Sequence, residues 1–328
     1  MFCRFSFPFI LLLLVACSFA LGTKYSQAQL VRIIESYDAS IGELPEGVAV
    51  KPNGPNKGDI YVTLAPTGEL RRIDRKTYEG ETFATFDVGS GFLLGMAFDR
   101  TELHVALASF DPATSGIWHV DDAGNTERIV DLQGFPNDLT FDQDGNMFIT
   151  ESISGSIFRV AAGTNDPVLW SQDPLLFGDP AGMPFPIGAN GLTYDDQRHC
   201  LIVSTFQSAR VVEIEDNDGV AGVVSVQAEG PQNAGADGIA LGTSGDVYKI
   251  SNFNSTLSRN DRKTAELTHI SDADDGQLAP ATLAFGQTGK DKRAVFVTNF
   301  GFGAGPTAPV SVLRIQLPEK SDRVPAGN

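Results

Sequence analysis

The sequence predicts an all-β chain that folds as a six-bladed β-propeller, with four antiparallel strands in each blade. Three observations lead to this prediction. A short phrase recurs six times along the 328 residues, a similar succession of short strand-like segments follows the copies, and no stretch has sustained helical periodicity. Tandem units of roughly 40–50 residues with four strands each are typical of propeller blades.

The recurring phrase is a residue that is usually polar, then glycine or a near equivalent, then alternating apolar residues. Its six copies begin at Glu46, Leu94, Asn137, Asn190, Asp237 and Ala281, at intervals of 43 to 53 residues. Alternation is the period of a β-strand. We therefore expect each copy to be the innermost strand of one blade.

The segments after each phrase supply the other strands. A turn comes first, as at 142–146 (DQDGN). A second strand follows, rich in β-branched and aromatic residues, for example 146–150 (NMFIT) and 294–299 (AVFVTN). A third strand ends in a polar-apolar run such as 210–215 (RVVEIE). These segments are short and bounded by Gly, Asn and Asp, as the strands of a blade are.

The ring is predicted to close through the N-terminal strand. The sixth unit has three strands, of which the last is 310–317, and the segment 30–38 (LVRIIESYD) is a strand without a partner. Pairing these two segments completes the sixth blade and removes two exposed edges. The propeller domain is therefore 30–318, and the charged tail 319–328 is expected to be disordered.

Residues 1–20 are predicted to be a signal peptide. Arg4 is the single basic residue before the apolar run 9–16, and that run is too short to span a bilayer. Residues 18–20 (SFA) fit a small-x-small cleavage site, and 21–29 form a linker to the first strand. The predicted destination is secreted or extracellular, without a membrane span.

A bacterial lipoprotein signal is the alternative interpretation of the same segment. Residues 14–17 (LVAC) have the form of a lipobox, with Cys17 as the lipidated first residue of the mature chain. In that case the domain is periplasmic or attached to the cell surface by a lipid anchor. Both interpretations predict export.

Composition excludes some partners. The net charge of −17 repels nucleic acid and anionic lipid headgroups and attracts cations. Cys200 lies in a strand-like run, where a buried and inert thiol is expected, and the four histidines have no metal-ligand spacing. We expect a monomer that acts on a small-molecule substrate and does not bind nucleic acid.

The first residue of each phrase is predicted to point at the central channel, because the innermost strands all begin at one mouth. Four of these residues carry oxygen donors, namely Glu46, Asn137, Asn190 and Asp237. Two carboxylates and two amide carbonyls form a hard oxygen site that suits Ca²⁺. Asn-Gly and Asp-Gly are also ordinary turn pairs, so a set of turns without a metal is the alternative.

The blade openings resemble those of a known family. The segments 44–50 (LPEGVAV), 135–150 (FPNDLTFDQDGNMFIT), 187–195 (IGANGLTYD) and 235–248 (GADGIALGTSGDVY) look like successive openings in the gluconolactonase/regucalcin (senescence marker protein) family. The related diisopropyl fluorophosphatases and paraoxonases share this layout. The resemblance spans 44–300, which is nearly the whole predicted domain.

This resemblance implies a Ca²⁺-dependent hydrolase of lactones, esters or phosphotriesters, with Zn²⁺ or Mn²⁺ as alternative metals. It implies that Glu46, Asn190 and Asp237 ligate the metal, and that Asn137 lies beside both metal and substrate. A bound cation polarises the substrate's carbonyl or phosphoryl oxygen. Asp237 is the candidate general base or nucleophile, and Asn137 the second catalytic candidate.

Two departures from the family pattern concern the substrate. Sugar-lactone enzymes tend to carry an arginine shortly before the first axial asparagine, where this chain has 133–136 (QGFP). Paraoxonases place a histidine where this chain has Leu94. Six phenylalanines fall instead in loops on the predicted mouth side: Phe92, Phe135, Phe185, Phe206, Phe253 and Phe300. A hydrophobic substrate is therefore expected, although packing between blades would also explain these side chains.

Two other functions remain open from the sequence. A non-catalytic propeller that binds a ligand or protein, like NHL or YWTD propellers, would also have 61–64 (YVTL), 148–151 (FITE) and 296–299 (FVTN) in its second strands. Such a propeller needs no polar cup at the axis. A strictosidine-synthase-like enzyme would share six blades and export but would not depend on calcium.

Overall fold

The computed structural model describes residues 31–179, 181, 185–264 and 266–317. The predicted signal peptide, the lipobox, the linker and the C-terminal tail lie outside the described residues. Among the described residues no helix has the length and apolar character needed to cross a membrane.

Six four-stranded antiparallel sheets form the protein, and the prediction of a six-bladed propeller is confirmed. The first strand, β1, spans Val31–Ser36 and belongs to the last blade. Blade 1 contains β2 (Pro45–Val50), β3 (Ile60–Leu64), β4 (Glu69–Ile73) and β5 (Gly80–Thr85). Blade 2 contains β6 (Phe92–Asp99), β7 (Glu102–Ala108), β8 (Gly116–Val120) and β9 (Thr126–Asp131). Blade 3 contains β10 (Pro136–Phe141), β11 (Met147–Glu151), β12 (Ser156–Val160) and β13 (Pro167–Ser171).

The remaining blades repeat this order from the axis outward. Blade 4 contains β14 (Ala189–Asp195), β15 (Cys200–Thr205), β16 (Arg210–Asn217) and β17 (Val220–Glu229). Blade 5 contains β18 (Ala236–Leu241), β19 (Val247–Ser251), β20 (Thr256–Asn260) and β21 (Leu267–Ser271). Blade 6 contains β22 (Leu283–Phe285), β23 (Ala294–Asn299), β24 (Ser311–Gln316) and β1. Short 3-10 turns occur at Ala39–Ile41, Pro174–Leu176, Pro231–Asn233, Ala273–Asp275 and Gly289–Asp291.

The ring closes as predicted, because β1 is the outermost strand of blade 6. It pairs antiparallel with β24, with Val31 opposite Ile315 and Ser36 opposite Ser311. Ile34 points into the interface with blade 1, while its neighbour Ile33 is exposed. Closure therefore joins the two ends of the described chain through both backbone pairing and side-chain burial.

The hydrophobic core consists of layers between neighbouring blades. Six clusters of buried apolar side chains each combine residues of two adjacent blades. Between blades 6 and 1, for example, Phe296 and Val312 pack against Ile60 and Val62. The second strand of each blade is buried on both faces, which explains its continuous apolar character.

The two ends of the ring differ in the loops they present. The mouth is the end where the innermost strands begin, and its loops are 37–44, 65–68, 86–91, 109–115, 132–135, 152–155, 172–188, 206–209, 230–235, 252–255, 272–282 and 300–310. The base carries the loops that join first to second and third to fourth strands. The six axial residues lie at the mouth end of the channel.

Candidate metal-binding and active site at the channel mouth

A β-bulge lies at the axial position of blades 1 to 5. In blade 3, Pro136 pairs with Glu151 and Leu139 with Ile149, so Asn137 and Asp138 together oppose Thr150. Equivalent register shifts occur at the phrase in the other four blades. A bulge releases its residues from the ladder and redirects a side chain. The bulges therefore explain why the first residue of the phrase can face the axis.

The glycine of the phrase allows neighbouring blades to approach at the axis. A Cβ on Gly47 would lie 2.4 Å from the carbonyl oxygen of Leu94 in the next blade. A Cβ on Gly191 would lie 2.5 Å from the carbonyl oxygen of Asp237. These contacts are with backbone, which cannot move aside cheaply, so the position requires glycine.

Hydroxyl groups on the second strands link each bulge to the next blade. Thr150 Oγ1 accepts a hydrogen bond from the Asp138 amide (3.1 Å) and donates one to the carbonyl of Asn190 (2.7 Å). The same relay is made by Thr63 between Gly47 and Leu94, and by Thr298 between Thr282 and Glu46. Ser204 donates to the Asp237 carbonyl. The threonines of the YVTL, FITE and FVTN segments thus position the axial backbone.

The four predicted ligand residues all lie at the mouth end of the channel, and each is 4–6% exposed. Glu46 Oε2 and Asn190 Oδ1 are buried and have no hydrogen-bond partner. Burial, and then the negative charges of Asp237 and Asp138, raise the pKa of the Glu46 carboxyl well above its ordinary value. The cup of axial oxygens defined by Glu46, Asn137, Asn190 and Asp237 is therefore desolvated and incompletely satisfied.

Asp138 is a half-buried residue that brings a third desolvated carboxyl group to this cup, and the sequence interpretation missed it. It occupies the position of the phrase that holds glycine in the other bulged blades, where the sequence interpretation treats it as a near equivalent of glycine. Burial raises the pKa of its carboxyl to about 7, although the backbone amides of Leu139 and Leu192 donate to it. Burial, and then the charge of Asp138, raise the pKa of Asp237 well above its ordinary value. The signal in the sequence was a charged residue at a glycine position.

No basic side chain neutralises these three carboxylates. The ion pairs found among the described residues involve neither Glu46, Asp138 nor Asp237. Counting only His, Cys, Asp and Glu side chains, the described part of the chain has no group of three arranged to hold a metal. A cation in the cup would therefore need the amide oxygens of Asn137 and Asn190. All of these donors are hard oxygen atoms, and two of them, Glu46 Oε2 and Asn190 Oδ1, have no hydrogen-bond partner. Oxygen donors of this kind are the ligands that Ca²⁺ prefers.

Below the cup, the channel widens into a cavity of about 280 Å³ that opens toward the base. Its wall is formed by the innermost strands, and Asp138 is the acidic residue of the cup region that borders it. Among its other lining residues are Val48, Met96, Leu192, Ile239 and Leu283. The three carboxylates therefore lie between this cavity and the mouth.

The mouth side of the cup is apolar on one flank. Leu94 and Phe135 are buried in a cluster against which Phe92, Phe185 and Phe300 pack. Leu94 occupies the position of the paraoxonase histidine, so this flank offers no base. Of the six phenylalanines singled out in the sequence, Phe135 and Phe206 are buried, Phe92, Phe185 and Phe300 are half-buried, and Phe253 is exposed. Packing thus accounts fully for two of them, and the other four keep part of their ring surface exposed.

Solved structures of enzymes and binding proteins share this architecture at low sequence identity. A luciferin-regenerating enzyme superposes with a TM-score of 0.66 at 14% identity, covering 91% of this chain and 98% of its own. A gluconolactonase from Xanthomonas campestris gives 0.65 at 15% identity, covering 88% and 89%. The calcium-binding protein regucalcin from Agrobacterium tumefaciens gives 0.65 at 16% identity, covering 90% and 97%. No family model matches the chain, and neither does any curated protein sequence.

The fold and the axial cup define a six-bladed propeller with a carboxylate-rich centre. The resemblance to the gluconolactonase/regucalcin family that the blade openings suggested is confirmed at the level of the fold. Identities of 14–16% do not carry an activity from one chain to another. The chemistry must therefore be argued from the residues of this cup.

Proposed function

We propose that the protein is a divalent-cation-dependent hydrolase of lactones and esters, with its reaction centre in the axial cup. The observation that supports this most strongly is a set of three desolvated carboxyl groups, those of Glu46, Asp138 and Asp237, which have no ion-pair partner among the described residues. Burying uncompensated charge is costly, so such a set has to be protonated or hold a cation. The fold shared with a gluconolactonase adds to this argument.

Glu46, Asn137, Asn190 and Asp237 would hold the cation, and Ca²⁺ fits their oxygens best. When bound, the cation would polarise the substrate's carbonyl oxygen as a Lewis acid. Asp237, once ionised, would either attack the carbonyl carbon or take a proton from the attacking water. The Asn137 amide N–H groups would donate to a substrate oxygen and orient the ester. Leu94 and Phe135 would exclude water from the flank of the reacting group.

The substrate is proposed to be hydrophobic. Gln133 is exposed, and neither it nor Leu94 supplies a cationic donor for sugar hydroxyls. Phe92, Phe185 and Phe300 are half-buried rings on the same flank of the mouth, where they pack against Leu94 and Phe135. An aliphatic lactone or aryl ester would bury apolar area there, whereas gluconolactone would leave its hydroxyls unpaired. Phosphotriesters belong to the same proposal because their phosphoryl oxygen can be polarised in the same way.

The test is hydrolysis of a panel of aliphatic lactones, aryl esters, a phosphotriester and gluconolactone, each with Ca²⁺ and with EDTA. We expect Ca²⁺-dependent turnover of the aliphatic lactones or aryl esters and slower turnover of gluconolactone. Preference for gluconolactone would contradict the hydrophobic substrate. Absence of turnover on the whole panel with Ca²⁺ bound would favour a binding propeller instead.

We also propose that the chain is exported through its N-terminal segment, which is supported by the sequence alone. Mass spectrometry of the mature N-terminus distinguishes the two routes. Cleavage after Ala20 leaves Leu21 first, whereas lipoprotein processing leaves a lipidated Cys17. An unprocessed Met1 terminus in the native host would contradict export by either route.

A further inference from the structure

The mouth of the ring carries no basic residue in its loops. The twelve mouth loops contain no Lys, Arg or His, whereas the base loops contain eleven Lys and Arg residues. These are Lys51, Lys57, Arg75, Lys76, Arg100, Arg198, Arg262, Lys263, Lys290, Lys292 and Arg293. On the outer strands that reach the mouth, Arg71, Arg128 and Arg210 are each ion-paired with an acidic side chain. Lys249 also reaches a mouth loop, where its ammonium contacts Asn233 Oδ1, but its side chain is fully buried. The exposed, unpaired basic residues are therefore segregated from the opening.

The same loops carry nine acidic residues. Six of them are exposed: Asp38, Asp87, Asp111, Asp179, Asp272 and Asp274. Fields from many like charges sum over such a surface and raise the local concentration of counter-ions.

Exposed aromatic rings lie among these acids. The mouth loops contain Phe110, Phe177, Phe253 and Phe302, which are 67%, 40%, 61% and 60% exposed. Phe302 stacks on Phe300, which belongs to the half-buried aromatic flank of the opening, and Phe253 packs edge-on against the buried Phe206. The cation–π pairs found among the described residues use Tyr78 and Phe83, neither of which is a mouth ring. The faces of the mouth rings are therefore not occupied by the protein's own cations.

We propose that the mouth selects a small hydrophobic organic cation, such as a quaternary or protonated amine attached to an aryl or alkyl group. Aromatic faces attract such cations, and surrounding carboxylates strengthen the attraction. The unpartnered oxygens of Glu46 and Asn190 lie buried at the end of the same opening. That such a cation would be the substrate rests on the proposed hydrolase function, because its ester carbonyl would have to lie in the cup. Binding of the cation at the mouth does not depend on turnover.

A lipid surface fits the mouth less well. Six exposed carboxylates lie in the same loops as the phenylalanines, and insertion of those loops would remove the carboxylates from water. Anionic headgroups would be repelled as well. The observations therefore favour a dissolved cation that enters the opening.

The binding test is calorimetric titration with benzyltrimethylammonium, with benzenesulfonate and tetramethylammonium as comparisons. We expect benzyltrimethylammonium to bind more tightly than both and to weaken as salt is added. Phe253→Ala and Phe302→Ala should weaken binding by ~2- to 20-fold. Leu169→Ala is the matched control, because Leu169 is an exposed apolar residue on the outer strand β13, away from the mouth. Benzenesulfonate binding as tightly as the cation would overturn the proposal.

Charge is tested separately. Asp274→Lys places a cation among the mouth loops, and Asp166→Lys makes the same change in an exposed base loop. We expect Asp274→Lys alone to weaken benzyltrimethylammonium binding, by at least ~3-fold at low salt. Equal effects of the two variants, or none, would overturn the assignment of the mouth as the cation site.

Substrate preference separates this proposal from the hydrolase proposal. Benzoylcholine and its neutral analogue 3,3-dimethylbutyl benzoate have nearly the same shape, and their rates are compared after correction for alkaline hydrolysis. A higher kcat/KM for benzoylcholine supports both proposals. Equal kcat/KM values, without benzyltrimethylammonium binding, would overturn the cation site and leave the hydrolase proposal standing. Binding of benzyltrimethylammonium without turnover of any ester would overturn the hydrolase and leave the cation site standing.

Discussion

Asp138 occupies the position that glycine holds in the other four bulged blades, and it turns a cup with two carboxylates into a region with three. Its pKa of about 7 follows from burial, which outweighs two donated backbone hydrogen bonds. The sequence identified Glu46 and Asp237 because they begin the repeated phrase. It could not identify Asp138, because the burial of that carboxyl depends on the close approach of Gly95 from the neighbouring blade.

Asp237→Asn tests the chemical role of the cup. The substitution keeps an oxygen donor and nearly the same volume but removes the charge, so hydrolysis should fall by at least ~100-fold. The fold should persist, as measured by circular dichroism. Asp246→Asn is the matched control, because Asp246 is similarly buried at the base end of the same blade. If excess Ca²⁺ restores the rate of Asp237→Asn, the residue only holds the metal.

Lys249 is a second residue that the sequence did not single out. Its side chain is fully buried between blades 4 and 5 and its ammonium contacts Asn233 Oδ1, with no carboxylate paired to it among the described residues. Burial lowers its pKa to about 8. An isolated lysine in a run such as 246–251 (DVYKIS) is ordinarily taken for a solvated strand residue, and only the position of the neighbouring blade makes it buried.

The stability of the protein should therefore depend on pH through Lys249. The folded state favours the neutral amine, so between pH 8 and 10.5 the unfolded chain binds more protons and stability rises with pH. Lys249→Met lacks this titration. The unfolding free energy of the wild type, relative to Lys249→Met, should increase by about 1–3 kcal/mol between pH 7 and 10. A difference that stays constant over this range would contradict a buried amine with a lowered pKa.

Among the elements, β1 closes the ring by pairing with β24. Its pairing with 310–317 was predictable by counting strands, because the sixth unit lacks one strand and the N-terminal segment has no partner. The bulges that aim the axial residues were not predictable, because glycine and asparagine at a strand start are equally consistent with an ordinary turn. The hydrogen bonds of Thr63, Thr150 and Thr298 were not predictable either. The sequence shows the threonines in YVTL, FITE and FVTN, but the carbonyl groups that accept from them belong to other blades.

Two neighbouring residues of β1 provide a matched test of closure. Ile34 belongs to the buried cluster between blades 6 and 1, together with Tyr78 and Phe296, whereas Ile33 is 54% exposed. Ile34→Ala should lower the unfolding free energy by about 2–5 kcal/mol, because it leaves a cavity in the interface of blades 6 and 1. Ile33→Ala should change it by less than ~0.5 kcal/mol. Equal losses for the two variants in urea denaturation would contradict the observed register of β1.

For the molecule as a whole, the number of blades and their order follow from the repeat, while the electrostatics of the ring do not. Six copies of one phrase at regular intervals leave little choice of fold. The segregation of basic residues to the base becomes apparent only when the loops are assigned to one end or the other. The cavity below the cup likewise requires the innermost strands to be placed around a common axis.

Cation binding should stabilise the entire ring, because the cup oxygens come from four different blades. Saturation at about 100-fold above Kd should raise the Tm by about 5 °C relative to EDTA. Without metal, the raised carboxyl pKa values mean that stability falls as pH rises from about 4 through 7, and the effect of Ca²⁺ should therefore be larger at pH 8 than at pH 5. Glu46→Gln should reduce the shift. A Tm that is the same in Ca²⁺ and EDTA at pH 8 would indicate that the cup is only a set of turns.

The pairing of β1 with β24 has a consequence for the time course of folding. Biosynthesis proceeds from the N-terminus, so the strand that leaves the ribosome first is needed last. Until β24 emerges, β1 has no partner, and blade 6 cannot be completed by any local step. Contacts between residues so distant in the chain form slowly. A nascent chain of this protein, or one shortened by a premature stop codon, would therefore keep an open edge that chaperones and proteases can recognise, and only the finished polypeptide would escape them.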